Sequence, residues 1–361
     1  MALTDLIRAR LAGQQLTSSG LTREEELISW LGAIQGQDYT SSKWAIGIRL
    51  PGITDEKVEQ AVRSYKIIRT WIMRGTLHLA AASDIRWMLS LLAPRLIRSG
   101  MPRNRQLELD EDTFRKSNNM LFRVLEGRKH LTREELKEMY EREGISTTGQ
   151  RFIHLVQRAA LEQIVCFGPR RQKQFTFMAL HEAVPPSQTA KTKEEALAEL
   201  TMRYFQSRGP ATLSDFIWWS GLTTGEAREG MEAVKAGLQH ERIDGQAYFF
   251  ANHVPVAPIT GHSTWLLPAF DEFVIAYRDR NAMLGKHQTK QVISSNGIFY
   301  PVIVVNGIIT GIWKRNLQKE KLVIDIHPFT PFSKDVKEEI TIAAEAFARF
   351  TGKKAEPIRY T

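Results

Sequence analysis

The chain has 361 residues, of which 43% are hydrophobic and 25% are charged, so it is long enough for two to four domains and fits a soluble globular protein. No apolar run approaches the ~20 residues of a transmembrane helix, the N-terminal segment lacks the apolar core of a signal peptide, and the single cysteine, Cys166, excludes a disulfide framework, an iron–sulfur cluster and a thiolate zinc site. These features predict a cytoplasmic protein, and the net charge of +9 moderately favours a polyanionic partner.

Three segments begin with the same helix-start pattern. In each, a threonine is followed three residues later by an acidic residue, which is the spacing of a capping box. The pairs are Thr22 with Glu25, Thr132 with Glu135, and Thr212 with Asp215. We therefore predict a helix after each of these threonines.

Further helices and a pair of apolar strands follow each start. The predicted helices are 23–35, a short one around Trp44, 55–64, 133–143, one within 147–163, 213–219 and one within 222–238. The predicted hairpins turn at Arg74-Gly75, within Gly168–Arg171 and at Asp244-Gly245. Short helices followed by a two-stranded hairpin form a winged helix, whose second helix commonly enters a DNA groove. Many winged helices bind proteins instead.

The C-terminal residues have a different pattern. Alternating strands with a hairpin turn at Asn306-Gly307 precede a helix at roughly 334–351. We predict an α+β chain of three tandem winged-helix modules and a small β-rich C-terminal domain closed by a helix. The predicted bounds are 1–105 for module 1 with flanking helices, 106–183 for module 2, 193–255 for module 3 and 260–361 for the β-rich domain, with a linker at 184–195.

Four segments together resemble one known family: GAIQGQD (32–38), RTWIMRGTLHL (69–79), LLPAFDEFVIAYRDR (266–280) and NGIFYPVIVVNGIITGIWKR (296–315). The chain resembles the AlkZ-like winged-helix DNA glycosylases, a bacterial family, over nearly its whole length. The resemblance implies base excision repair of alkylated purines in double-stranded DNA. In some relatives it extends to bases held in interstrand crosslinks.

The first segment carries the chemistry that the resemblance implies. The family has a Gln-x-Gln or Gln-x-Asp motif, usually with an apolar middle residue, and by position its two catalytic residues are Gln35 and Gln37. The middle residue here is Gly36, which is expected to loosen the backbone or to end the helix as a C′ residue.

Two glutamines suit the hydrolysis of a base that is already a good leaving group. Alkylation at N7 or N3 gives the purine a positive charge, so what remains is to place water at C1′ and to stabilise an oxocarbenium-like sugar. Glutamine does not titrate, but its carbonyl oxygen can orient water and its dipole can face the positive charge. The C-terminal end of helix 23–35 is expected to add partial negative charge. Asp38 is a third candidate, as a base, a charge stabiliser or a cap of the next turn.

Basic residues near the predicted wings and in the family motifs are candidate phosphate contacts. They are Arg69 and Arg74 beside the first wing, Arg170, Arg171 and Lys173 at the second, and Arg278, Arg280, Lys314 and Arg315 in the C-terminal motifs. The nine histidines show no i,i+4 pair, so neither a metal site nor a cofactor is predicted. His78 is predicted to be structural, and the adjacent Asp271 and Glu272 are not interpreted as an acid/base pair.

The leading hypothesis is a monomeric, monofunctional DNA glycosylase for alkylated purines. The alternatives are a non-catalytic winged-helix DNA-binding protein, such as a transcriptional regulator, and a winged-helix scaffold that binds protein. A lyase step through a lysine Schiff base is left open.

Overall fold

A computed structural model describes residues 3–186, 190–251 and 263–361 of the chain. They form two compact units, one made of Met1–Glu59 with Leu197–Thr361 and the other of Gln60–Ala196. The predicted linker, 184–195, falls at the end of the second unit, with 187–189 outside the described residues. The predicted bounds at 255 and 260 also lie outside them. The mixed α+β class is confirmed, and the division into three winged helices stays a prediction.

The N-terminal part of the first unit is helical. Its elements are α1 (Leu3–Gly13), α2 (Glu24–Trp30), the two-residue strand β1 (Ile34–Gln35), α3 (Tyr39–Gly47) and α4 (Asp55–Arg63), whose last residues belong to the second unit. Helix α3 packs through Trp44, whose indole Nε1–H donates to the Leu266 carbonyl oxygen at 2.8 Å.

Two predictions for α2 are wrong. The helix ends at Trp30 and not at residue 35, because Leu31 is its C-cap and Gly32 turns the chain with a φ of +73°. The left-handed C′ position is therefore taken by Gly32 and not by Gly36. The N-cap is Arg23, without a side-chain cap, so Thr22 and Glu25 form no capping box.

The second unit combines helices with paired strands. Its elements are β2 (Ile67–Trp71), β3 (Leu77–Ala81), α5 (Ala82–Gln106), α6 (Glu111–Leu125), β4 (Leu131–Thr132), α7 (Arg133–Arg142), α8 (Arg151–Leu161), β5 (Val165–Arg171), β6 (Gln174–Ala179) and α9 (Leu180–Ala183). In this unit the strands lie in the order β3-β2-β5-β6-β4. Large buried side chains fill the core, among them Phe114, Tyr140, Phe152 and Phe177.

Most of the caps and turns predicted for this unit are confirmed. Thr132 and Glu135 form the predicted capping box, and the first hairpin turns at Arg74-Gly75. The second hairpin differs, because Gly168–Arg171 belongs to strand β5 and the turn lies at residues 172–173. The pairing register shifts between Gly168 and Arg171, so the Gly-Pro pair makes an irregularity within the strand and not its end.

The next part of the first unit repeats helices before a hairpin. It comprises α10 (Lys193–Arg208), whose first residues belong to the second unit, α11 (Leu213–Ser220), α12 (Thr224–Val234), β7 (Leu238–Ile243) and β8 (Gln246–Ala251). Thr212 and Asp215 form the predicted capping box, and Thr223 with Glu226 forms another. The hairpin turns at Asp244-Gly245, both with positive φ, as predicted.

The C-terminal part is a sheet covered by a helix. Its elements are β9 (Thr264–Leu267), α13 (Glu272–Ile275), α14 (Thr289–Val292), β10 (Val302–Val305), β11 (Ile308–Leu317), β12 (Lys321–Pro328), α15 (Lys334–Thr351), β13 (Lys354–Ala355) and β14 (Arg359–Tyr360). The strand order is β13-β12-β11-β10-β9, and β14 also pairs with β12. The hairpin at Asn306-Gly307 and the final helix are confirmed. Phe347 of α15 packs on Trp44 and Trp313.

Candidate active site

The segment that carries the candidate glutamines runs from the end of α2 to the start of α3. After Gly32 the chain becomes extended through β1, where Gln35 is 7% exposed. Gln37 follows as an exposed residue, and Asp38 begins α3 as its N-cap. The helix end next to the glutamines is therefore an N-terminus, which carries partial positive charge, so the predicted contribution of a helix C-terminus at Gln35 is wrong.

A buried ion pair holds this segment from one side. Arg208 Nη1 donates to the Leu31 carbonyl oxygen at 2.7 Å, and Nη2 donates to the Ala33 carbonyl oxygen at 3.4 Å and to Glu272 Oε2 at 2.5 Å. Glu272 Oε1 accepts the backbone N–H of Gln35 at 3.1 Å. The two side chains thus bind three backbone groups of residues 31–35.

Both members of this ion pair are fully buried, at 0% exposure. The indole of Trp219 completes the pair, because its Nε1–H donates to Glu272 Oε2 at 3.0 Å and its ring lies 4.4 Å from the Arg208 guanidinium carbon. The same indole bounds Gly32, where a β-carbon would lie 3.2 Å from the ring. The Glu272 carboxylate therefore has three donors, and the Arg208 guanidinium lies against an aromatic ring, so each buried group has partners within the protein.

The backbone of Arg208 is held as well. Its carbonyl oxygen accepts the Tyr277 hydroxyl at 2.9 Å, and that hydroxyl accepts the amide of Gln14 at 3.0 Å. Burial raises the pKa of Tyr277 to about 12, so the hydroxyl keeps its proton and donates. Arg208 is therefore fixed at both its side chain and its main chain.

A second buried ion pair lies beside the first but does not contact residues 31–35 in this arrangement. Asp271, the N-cap of α13, binds Arg49 through two hydrogen bonds of 2.8 Å. Arg49 also donates to the carbonyl oxygens of Ala45 and Gln14. This pair ties α3 to the end of α1 and to α13.

Asp38 is held in place by two elements. Its Oδ1 accepts the Ser41 backbone N–H at 2.9 Å, which makes it the helix cap that was one of its predicted roles. Arg315 of β11 donates to both Asp38 oxygens, at 3.3 and 3.2 Å, and to the Ser41 hydroxyl at 3.0 Å. Arg315 therefore lies beside the glutamine segment, with its charge facing a carboxylate.

The other candidate phosphate contacts differ in exposure. Arg69 is 4% exposed and lies between the rings of Phe167 and Phe175, at 4.5 and 4.4 Å, so a phosphate could not reach it unless the rings moved. Lys173 is exposed at the turn of the second hairpin, and Lys314 is exposed on β11. Arg74 and Arg170 are half-buried.

Three further arginines have local partners, and of these Arg280 is half-buried. Arg171 is exposed and pairs with Glu135 at 2.7 Å. Arg278 is exposed and donates to Ser214 at 3.1 Å, and Arg280 donates to the Val274 carbonyl oxygen at 2.7 Å. Arg278 and Arg280 line an open polar cavity of about 530 Å³.

Two other predictions concern buried residues. His78 is fully buried with Nδ1 at 2.9 Å from the Thr76 carbonyl oxygen, which fits its predicted structural role. Asp271 and Glu272 are not neighbours in one acid/base pair, because each pairs with a different arginine. Within the described residues, every helix is too short or too polar for a membrane span.

The sequence pattern did not indicate a role for Glu272, which was set aside as a member of an acid/base pair, and it did not single out Arg208. Glu272 lies inside the segment 266–280 that supports the family resemblance, but nothing in its spacing indicates a contact with Gln35. Arg208 is the last residue of α10 and looks like an ordinary helix-end cation. Only the folded chain brings the two side chains to residues 31–35.

The class of the protein follows from its similarity to known proteins. The fold is shared with the solved structure of Streptomyces sahachiroi DNA glycosylase AlkZ, with a TM-score of 0.84 at 21% identity and coverage of 100% of both chains. The sequence is also similar to an interstrand DNA cross-link repair glycosylase of Streptomyces sahachiroi, at 24% identity over 368 aligned residues and 92% of each protein. Residues 28–350 match the family model described as DNA glycosylase AlkZ-like. The chain therefore belongs to the AlkZ-like DNA glycosylase family, whose members are hydrolases of N-glycosyl bonds.

Proposed function

We propose that this chain hydrolyses the N-glycosidic bond of purines alkylated at N7 or N3, including bases held in interstrand crosslinks. The printed function of the Streptomyces sahachiroi relative supports the crosslink part. One observation carries the proposal for the site. Exposed Gln37 lies between Gln35, whose backbone is bound by Glu272, and Asp38, whose carboxylate is bound by Arg315.

The alkylated base needs no protonation, because it leaves with its positive charge neutralised. The amide oxygens of Gln35 and Gln37 orient a water toward C1′, and their dipoles face the oxocarbenium-like sugar in the transition state. Neither amide titrates, so neither removes a proton in the rate-limiting step near neutral pH. The water loses its proton to solvent after attack on a carbon that already bears positive charge.

Asp38 supplies the negative charge near this water. Its two oxygens already accept from Ser41 and Arg315, so it serves as a fixed electrostatic group and not as a base. The positive end of α3 and the guanidinium of Arg315 both lie against this carboxylate. Asp38 thus takes the role of negative charge that the sequence analysis gave to the C-terminal end of helix 23–35.

DNA is bound through its phosphates by exposed basic side chains. We assign Lys173, Lys314 and Arg278 to this role, with Arg74, Arg170, Arg171 and Arg280 as further contacts. Such contacts set affinity and its salt dependence, whereas the glutamines set the rate. The enzyme acts as a cytoplasmic monomer without metal or cofactor.

The test is single-turnover release of N7-methylguanine from duplex DNA in EDTA. Gln35→Ala and Gln37→Ala should each lower the rate constant by roughly 10²–10³-fold, the usual loss for one orienting group. DNA affinity should change little. Gln60→Ala, which removes an exposed glutamine of α4, is the matched control and should release base at the wild-type rate.

Other outcomes point elsewhere. Full activity of the Gln35→Ala, Gln37→Ala double variant would remove the glutamines from the mechanism. Loss of activity in EDTA would contradict metal-free hydrolysis, and a borohydride-trapped adduct would add a lyase step. Tight binding to one defined sequence without base release from any alkylated DNA would favour a transcriptional regulator.

A further inference from the structure

We propose that Glu272 is a positioning residue, which acts on the reaction through the backbone of Gln35. The inference rests on the proposed function of Gln35. Glu272 is 237 residues away from Gln35 in the sequence, and yet one of its carboxylate oxygens accepts a hydrogen bond from the backbone N–H of Gln35. Its other oxygen accepts from Arg208 and Trp219.

The ion pair binds one side of the segment as a paired strand would. In an extended segment, backbone groups two residues apart point to the same side. Arg208 donates to the carbonyl oxygen of Ala33, and Glu272 accepts from the N–H of Gln35. A paired strand would offer the same alternation of donor and acceptor.

These contacts fix the position of the Gln35 backbone relative to Arg208 and Glu272. Arg208 also holds the Leu31 carbonyl oxygen, so the contacts of this ion pair run from the residue directly after α2 to Gln35. Gly36 follows, and glycine permits more backbone conformations than any other residue. The carboxylate therefore fixes the residue that directly precedes this glycine.

A contribution to the stability of the fold does not by itself explain why Glu272 is a carboxylate. Burying an ion pair is costly, and packed apolar side chains often replace such a pair without loss. The neighbouring pair, Asp271 with Arg49, is buried to the same degree, and its carboxylate is on the residue directly before Glu272. Its hydrogen bonds go to Gln14, Ala45 and Phe273 and not to the glutamine segment. The two pairs differ in their contact with residue 35, which makes one a control for the other.

The experiment compares Glu272→Gln with Asp271→Asn in the full chain. Both replace one carboxylate by an amide in a buried ion pair, so both should lower the unfolding temperature. A glutamine has one acceptor oxygen for the donors that Glu272 receives on two sides. We expect Glu272→Gln to lower the single-turnover rate by about 10–100-fold, as loss of a supporting contact commonly does. Asp271→Asn should stay within about threefold of wild type when rates are compared well below both unfolding temperatures.

A double-variant cycle separates positioning from general damage. If Glu272 acts through Gln35, the Gln35→Ala, Glu272→Gln variant should be no slower than Gln35→Ala alone. Multiplied losses, or equal losses in Glu272→Gln and Asp271→Asn, would overturn the proposal. DNA affinity should be unchanged in all of these variants.

If Glu272→Gln does not fold, Glu272→Asp gives the same test. It keeps the negative charge opposite Arg208, but its side chain is one methylene shorter and cannot hold Arg208 and the Gln35 N–H together as Glu272 does. A wild-type rate in that variant would overturn the proposal. A normal rate in Glu272→Gln together with slow Gln37→Ala would reject only the positioning role. Fast release by the double glutamine variant would instead reject the proposed function.

Discussion

The carboxylate of Glu272 and the backbone N–H of Gln35 are joined across 237 residues by a hydrogen bond of 3.1 Å. A second long-range link, from Arg315 to Asp38, spans 277 residues. Between these two fixed points lies Gln37, which is exposed. The segment therefore offers an accessible amide on a backbone that is held at both sides, which is what an orienting group requires.

The two glutamines should differ in their effect on stability. Gln37→Ala removes an exposed side chain and should change the free energy of unfolding by about 0.5 kcal/mol or less. Gln35→Ala removes a side chain that is 7% exposed and should cost about 1–3 kcal/mol, because its buried contacts are lost. Urea unfolding measures both. Equal stability losses would show that Gln35 is less buried in solution than in this structure.

Asp38 should act as a cap and not as a base. Asparagine is also a good N-cap, so Asp38→Asn should keep α3, whereas Asp38→Ala should cost about 1 kcal/mol. The ion pair with Arg315 is partly exposed, at 14% and 39%, so its loss adds little to either variant. Base release by wild type should be nearly independent of pH from mildly acidic to neutral. A carboxylate titration that disappears in Asp38→Asn would give the base role to Asp38.

Substitution of Arg69 should affect mainly stability, whereas substitution of Lys173 should affect mainly DNA binding. Arg69→Ala leaves a gap between Phe167 and Phe175 and should cost about 2 kcal/mol or more, with an unchanged salt dependence of DNA binding. Lys173→Ala should leave stability intact and reduce the slope of log affinity against log salt by about 1. Fluorescence anisotropy over a salt series gives the slopes. A reduced slope in Arg69→Ala would mean that the rings open on DNA.

Burial raises the pKa of the Cys166 thiol from 9.0 to about 12. The unfolded chain therefore loses this proton at lower pH than the folded protein does. The contribution of Cys166 to stability is fully present below pH 9.0 and is lost as the pH rises toward about 12. Stability should fall less steeply over that window in Cys166→Ala than in wild type. The native thiol should also resist a thiol reagent at neutral pH, and rapid labelling there would contradict its burial.

Turns and caps were predictable because their causes are local. Asp244-Gly245 and Asn306-Gly307 each need two residues with positive φ, and these residue pairs adopt it readily. The capping box of Thr132 needs only a partner three residues away. In such cases the sequence window contains every interacting group.

The wrong predictions concern positions whose structure depends on side chains that are distant in the sequence. The apolar pattern of α2 continues past Trp30, but Gly32 turns against Trp219 and Arg208 binds the carbonyl oxygens that follow. The burial of Arg69 likewise depends on Phe175, which no local pattern assigns to the same face. The glutamines are candidates because of the family motif, whereas Glu272 could be connected with them only in the folded chain.

The contact between Glu272 and Gln35 also has a consequence for biosynthesis. A ribosome adds roughly 5–20 residues per second, so Gln35 is made roughly 12–47 s before the residue that anchors it. Arg208 arrives in between and can bind residues 31–33 first, with its own charge still unpaired. A nascent chain can therefore contain both glutamines without the anchor of Gln35, and the assembled site is expected only after the segment with Glu272 has left the ribosome.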